Sequence, residues 1–215
     1  MSRRRLSSAI IVVALAWLGL APPGQAKTIL ITDEESDQMA AISGDAPRLS
    51  WAGMESVPGV WNIFYLELYP NRALLIRFPL DKIPKRQRVT KAEVIVPVDY
   101  VYPANEPRLY VRRLLAEWGP GVCHLYRMTS PKPVEWKVPG AKGSGSDRIA
   151  KPQVLKPVTG ETIINVTEDV ELWYSGVVRN HGWMLSNEDS GLIRMGSWAF
   201  GGRGRWKLRI TYEPE

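Results

Sequence analysis

The chain has 215 residues, a formal net charge of +6, 45% hydrophobic residues, one cysteine and two histidines. A single cysteine excludes an internal disulfide framework, so stability has to come from a core. The basic excess is mild and does not argue for nucleic acid; it is compatible with an acidic partner such as a uronic-acid polysaccharide or an anionic cell surface. There is no His-Glu-x-x-His zinc motif, no paired-cysteine motif and no Gly-x-Ser-x-Gly elbow, and the Gly140–Gly145 segment lacks the Lys-Ser/Thr and helix of a phosphate loop.

The first 26 residues read as a leader. Arg3, Arg4 and Arg5 form a basic start, Ala9 to Ala21 an apolar run, and Pro22, Pro23 and Gly24 break it before Ala26. This pattern predicts a secretory signal peptide cleaved after Ala26. The apolar run is shorter than the roughly 20 residues that a spanning helix needs. The expected product is secreted, extracellular or periplasmic, without a transmembrane segment. It keeps 189 of the 215 residues as one domain, 27–215, and loses three arginines of the net +6 to leave +3.

Residues 33–58 are weakly patterned and are expected to hold short edge strands. Their acidic run includes Asp33, Glu35 and Asp37, the candidates for a structural calcium; a solvated surface is the simpler reading, and no cofactor is expected. Leu74, Ile76, Phe78 and Leu80 then alternate with Ala73, Leu75 and Arg77, and Ala92, Val94, Val96 and Val98 with Lys91, Glu93 and Ile95. Both read as strands. Leu109–Leu115 is strand-like with mixed faces, so its inner face stays unassigned. Cys123 reads as a small core residue. The Pro- and Gly-rich stretch 131–157 reads as a long loop, the kind of segment that carries function.

From Glu161 the hydrophobic period changes twice. Thr162–Val166 is β-branched. Thr167 is expected to cap a helix over about 167–175, with Glu168 and Asp169 in its first turn, Val170, Trp173 and Tyr174 at helical spacing and Gly176 at its end. Asn180–Leu185 reads as a turn into a strand. In the last strand Trp206, Leu208, Ile210 and Tyr212 alternate with Arg205, Lys207, Arg209 and Thr211. The sum is an all-β fold, a jelly-roll β-sandwich of antiparallel strands with one short α-helix.

Several of these pieces recur in order in a known family. Asn71–Phe78, Lys91–Val96, Leu115–Trp118, Glu135-Trp136 with the following Pro139–Arg148 loop, Asn165-Val166-Thr167 with Val170 and Trp173, Asn180–Leu185 and Trp206–Tyr212 resemble the strands, helix and turns of the DNRLRE domain family. These are carbohydrate-binding-module-like jelly rolls of exported microbial proteins. The resemblance spans about residues 71 to 213, while 27–70 match poorly. It implies a jelly roll and glycan binding or surface attachment.

The expected function is therefore a non-catalytic carbohydrate-binding module whose partner is a polysaccharide or a cell-surface glycan. A structural envelope protein and a polysaccharide hydrolase or lyase remain as alternatives. Sugars stack on exposed aromatics and acidic sugars bind arginine forks. Trp136, Asp147 and Arg148 in the loop, Arg77, Trp198, and the basic face Arg205, Lys207 and Arg209 are the candidate ligand contacts. No catalytic residue is assigned; Glu117, Glu135, Asp147 and Glu188 are the carboxylates from which a hydrolytic pair would have to come.

Overall fold

The computed structural model describes residues 25–33, 38–52, 66–102, 106–196 and 205–215. Two antiparallel sheets of six strands face each other. In the first, β1 (Lys27–Thr32), β14 (Lys207–Pro214), β6 (Gln87–Val101), β13 (Ile193–Met195) and β4 (Leu66–Leu68) lie side by side in that order, and β11 (Gly160–Asn165) also pairs with β6. In the second, the order is β10 (Gln153–Leu155), β7 (Leu109–Arg113), β12 (Trp183–Ser186), β5 (Arg72–Arg77), β2 (Gln38–Ser43) and β3 (Trp51–Ala52). The chain passes from sheet to sheet: β5, β7, β10 and β12 belong to the second, while β6, β11 and β13 belong to the first. This is the all-β sandwich that the alternating patterns predict.

The core lies between the sheets. Leu74, Ile76, Phe78, Leu109, Val111, Trp183 and Leu185 meet Ala92, Val94, Val96, Val98, Ile164, Trp206, Leu208 and Ile210 there. The face of β7 that the pattern leaves open is thereby settled: Leu109 and Val111 point inward, Tyr110 and Arg112 outward. Burying each large aliphatic or Phe side chain contributes roughly 1.5–3 kcal/mol, the main stabilising term in a chain with no disulfide. Cys123 is indeed buried and free.

The helix α1 (Thr167–Tyr174) closes one end of this core, with Val170 and Trp173 buried and the Trp173 and Trp183 rings 4.5 Å apart. Asp169 accepts a hydrogen bond from Trp183 Nε1 at 2.7 Å and faces Arg113 at 3.1 Å, which ties the helix to the second sheet. Burial raises the Asp169 pKa, against the pull of Trp183 and Arg113.

Three local expectations change. Thr167 is the first helical residue and Val166 the cap position, because the Thr167 hydroxyl is taken up by Ala92 N of β6 at 2.9 Å; Asn165 Oδ1 accepts the Thr167 N–H instead. The weakly patterned N-terminal region contributes β2, an interior strand between β5 and β3, and β1 pairs along its whole length with β14. The stretch 131–157 is not strand-free: it holds β9 (Val134–Glu135), which pairs with β8 (Tyr126–Met128), and β10.

Candidate ligand-binding site

The strands β5, β2 and β12 are apolar on both faces, so the outer face of the second sheet also needs a cover. The segment 114–149 supplies it. Leu114, Trp118, Val122, Trp136 and Ala141 pack on Ala40, Ile42, Ala73, Leu75 and Met184 to make a second, smaller core. Polar bonds fix this cap. Trp118 Nε1 donates to His181 O at 2.8 Å and Trp136 Nε1 to Cys123 O at 2.9 Å. The Asp147 carboxylate accepts the backbone N–H groups of Lys137, Val138 and Gly143, each at 2.9 Å.

Register decides what the cap leaves open. Across the outer face one row runs Arg112, Met184, Leu75, Ala40, and the next runs Tyr110, Ser186, Ala73, Ile42. The cap covers most of the first row. At the second it stops, and the small Ser186 and Ala73 leave a depression there. The result is a cavity of about 310 Å³, at the lower end of the range for ligand pockets. Ile42, Ala73 and Met184 form an apolar floor. Its rim carries Asn71 from the turn before β5 and Arg72 at the start of β5, His124, Gly140, Lys142 and Arg148 from the cap, and Asn187 and Glu188 after β12.

Each rim group has a defined setting. Glu188 is gripped by both terminal nitrogens of Arg112 and lies 3.5 Å from Arg148 Nη1. Burial pushes its pKa up, but the Arg112 hydrogen bond and charge, joined by Arg148, outweigh this and hold it below the usual range. Arg148 also points Nη1 at Met184 Sδ, 3.5 Å away. His124 stacks its ring edge against Gly140, whose φ of +79° and absent Cβ are both needed: a Cβ would come within 2.7 Å of the imidazole. Burial, followed by the Lys142 charge, lowers the His124 pKa, so the ring is neutral at pH 7 and can both donate and accept.

The sequence-predicted contacts are dispersed by this geometry. Arg148 lines the cavity. Trp136 does not present a ring for stacking: it is 3% exposed, inside the second core. Asp147 is likewise buried and spent on three backbone donors, so it tethers the loop and does not reach a ligand. Arg77 lies at the opposite end of β5 from Arg72, about 16 Å away at strand rise. Arg205, Lys207 and Arg209 do not form a free basic face. Arg209 is paired with Glu93 at 2.8 Å, Lys207 with Glu161 at 2.9 Å, and Arg205 lies 3.8 Å from Asp33. Lys207 and Arg209 belong to the first sheet and Arg205 lies just before it, on the other side of the sandwich. Trp198, Glu35 and Asp37 lie outside the described residues. Asp33 is buried beside Trp206 and Arg205, and among the described residues no three His, Cys, Asp or Glu side chains converge to hold a metal.

Arg72, Lys142 and His124 were not among the sequence-predicted contacts. Their signal was faint: a strand apolar on both faces, and a cation at each bend bordering it. A second cleft of about 580 Å³ lies between β10 and α1, but its charged centre, Arg113 with Asp169, is already consumed in holding the helix. No helix among the described residues is long and apolar enough to cross a membrane. No model of a known protein family matches the chain, and no curated protein matches it either.

Proposed function

We propose that the protein is an exported, non-catalytic carbohydrate-binding module and that the outer-face cavity is its sugar site. The observation that carries this reading is the layout of the cavity: an apolar floor of Ile42, Ala73 and Met184 ringed by polar groups that donate and accept in several directions. A sugar ring needs this combination, a surface for its C–H face and directional partners for its hydroxyls. The resemblance in motif order to the DNRLRE domains points the same way, and export accords with the first strand among the described residues beginning at Lys27, directly after the expected cleavage point.

A hydrolytic role has less support. Glycoside hydrolysis uses two carboxylates flanking the bond, one of them able to stay protonated. Glu188 is the only carboxylate among the described residues lining the cavity, and Arg112 favours its ionised form.

A glycan array probed with residues 27–215, repeated as a turnover assay on each bound glycan, tests the reading. Saturable binding without product release is expected, and His124→Ala should weaken it about tenfold, the worth of a good hydrogen bond. Failure to bind any glycan, or release of product, overturns it.

A further inference from the structure

The charge of the cavity goes beyond sugar binding in general, and the inference drawn from it rests on that reading. Four cationic groups, Arg72, Arg112, Lys142 and Arg148, converge at or just beneath this site, against three carboxylates, Glu188, Asp45 and the buried Asp147. The three carboxylates are unevenly shared, and both oxygens of Asp147 are taken by backbone N–H groups. Glu188 is engaged on both oxygens by Arg112. Asp45 is half exposed and reaches Arg72 Nε only at 3.8 Å. Lys142 has no ion pair among the described residues.

Arg148 is the group left short. Its side chain is only 13% exposed, yet its contacts are a thioether at 3.5 Å and Glu188 Oε1, the oxygen Arg112 Nη1 already holds, also at 3.5 Å. Both are at the outer limit for a hydrogen bond. Arg112 behind it is 8% exposed, and its Nε has no partner. Two largely buried guanidinium groups thus share the one partly exposed carboxylate of Glu188, and an uncompensated buried charge is costly. Burial and the Arg112 charge lower the Arg148 pKa despite Glu188 and Asp147, which is the electrostatic sign of the same shortage.

We propose that the cavity binds a sugar bearing a carboxylate, a uronic acid residue of an acidic polysaccharide, with the ligand carboxylate docked on Arg148 and Lys142. A planar carboxylate matches the guanidinium fork in two parallel bonds. A single negative charge per ring also suits a site in which four cations face three carboxylates. Ile42, Ala73 and Met184 receive the ring itself, and the neutral His124 is placed for a hydroxyl.

The test compares galacturonic acid oligomers with the same oligomers fully methyl-esterified, which keep the ring and lose the charge. Mannuronate–guluronate oligomers and dextran sulfate complete the set, measured by calorimetry at low and moderate salt. The acid form of at least one uronate oligomer should bind tenfold or more tighter than neutral or esterified sugar, weakening as salt rises. Arg148→Gln and, at an exposed position, Lys142→Ala should each remove most of that preference, while Lys207→Gln on the opposite sheet should not. Equal binding of acid and ester overturns the carboxylate assignment and leaves the sugar site standing. Dextran sulfate binding as tightly as the uronates overturns it too, as non-specific polyanion attraction. Binding of no sugar of any charge overturns both.

Discussion

Glu93 shows how single side chains are used on the outer face of the first sheet. It sits on β6 between Lys91, 2.8 Å away, and Arg209 of β14, and is largely buried by them. The Lys91 hydrogen bond lowers its pKa most; burial opposes this, and the Arg209 bond reinforces it. Because the folded value lies below the unfolded one, the stabilisation is complete above the usual glutamate pKa of 4.5 and is lost as pH falls through the lower folded value. The wild-type protein should therefore be more stable than Glu93→Gln near neutral pH. Urea midpoints measured from about pH 6 to about pH 3 should show that gap closing toward acid. A constant gap would mean that Glu93 acts by packing alone. Trp136 and Asp147 carry the same lesson in the cap: a polar atom inside the protein is more often a fastening than a contact for a ligand, and a loop position in sequence does not distinguish the two.

At the scale of elements, the cap 114–149 is the feature that makes the site, and its keystone is Asp147. Asp147→Ala leaves three backbone donors without their acceptor at a position 2% exposed. A cost of about 3 kcal/mol in urea unfolding is expected, with Asp147→Asn costing less because one acceptor oxygen survives. Ligand affinity should fall in the alanine variant as well, since Lys142 and Arg148 flank the tethered turn. The strands themselves were plain in the sequence: period-two alternation marks β5, β6 and β14, and the double change of period marks β11, α1 and β12. The cap was not. Its residues have little regular period, so only the apolar second face of Ala73 and Leu75 announced that something must cover them. The site was legible in one residue, Arg148. Alternation along β14 tells which side chains share a face but not that acids on β6 and β11 neutralise them, because cross-strand partners distant in sequence leave no trace in a single strand's pattern. Thr167 misled for a related reason: a cap residue is recognised by local sequence, whereas its hydroxyl was claimed by a strand 75 residues away.

The whole molecule is stapled by pairing rather than by covalent bonds. β1 and β14, near the two ends of the described fold, run antiparallel over six residue pairs, and β14 in turn pairs with the long β6. The only cysteine is 1% exposed. Thermal unfolding of residues 27–215 should accordingly have the same midpoint with and without reductant. A drop of several degrees on reduction would reveal a covalent dimer through Cys123 that this fold does not accommodate.

The two-core layout divides the protein into units of unequal tenacity. The main core is clamped between two sheets, whereas the cap is held by a small apolar cluster and a handful of polar ties, so it belongs to the end of the stability scale where sub-global opening occurs. The cavity lies along the seam between them, with Arg72 and Met184 on the sheet side and Lys142 and Arg148 on the cap side. An occupant of that seam works as a latch: its binding energy is spent in part on keeping the cap shut, and amide exchange in 114–149 has to slow in proportion to occupancy while the sheets scarcely register it.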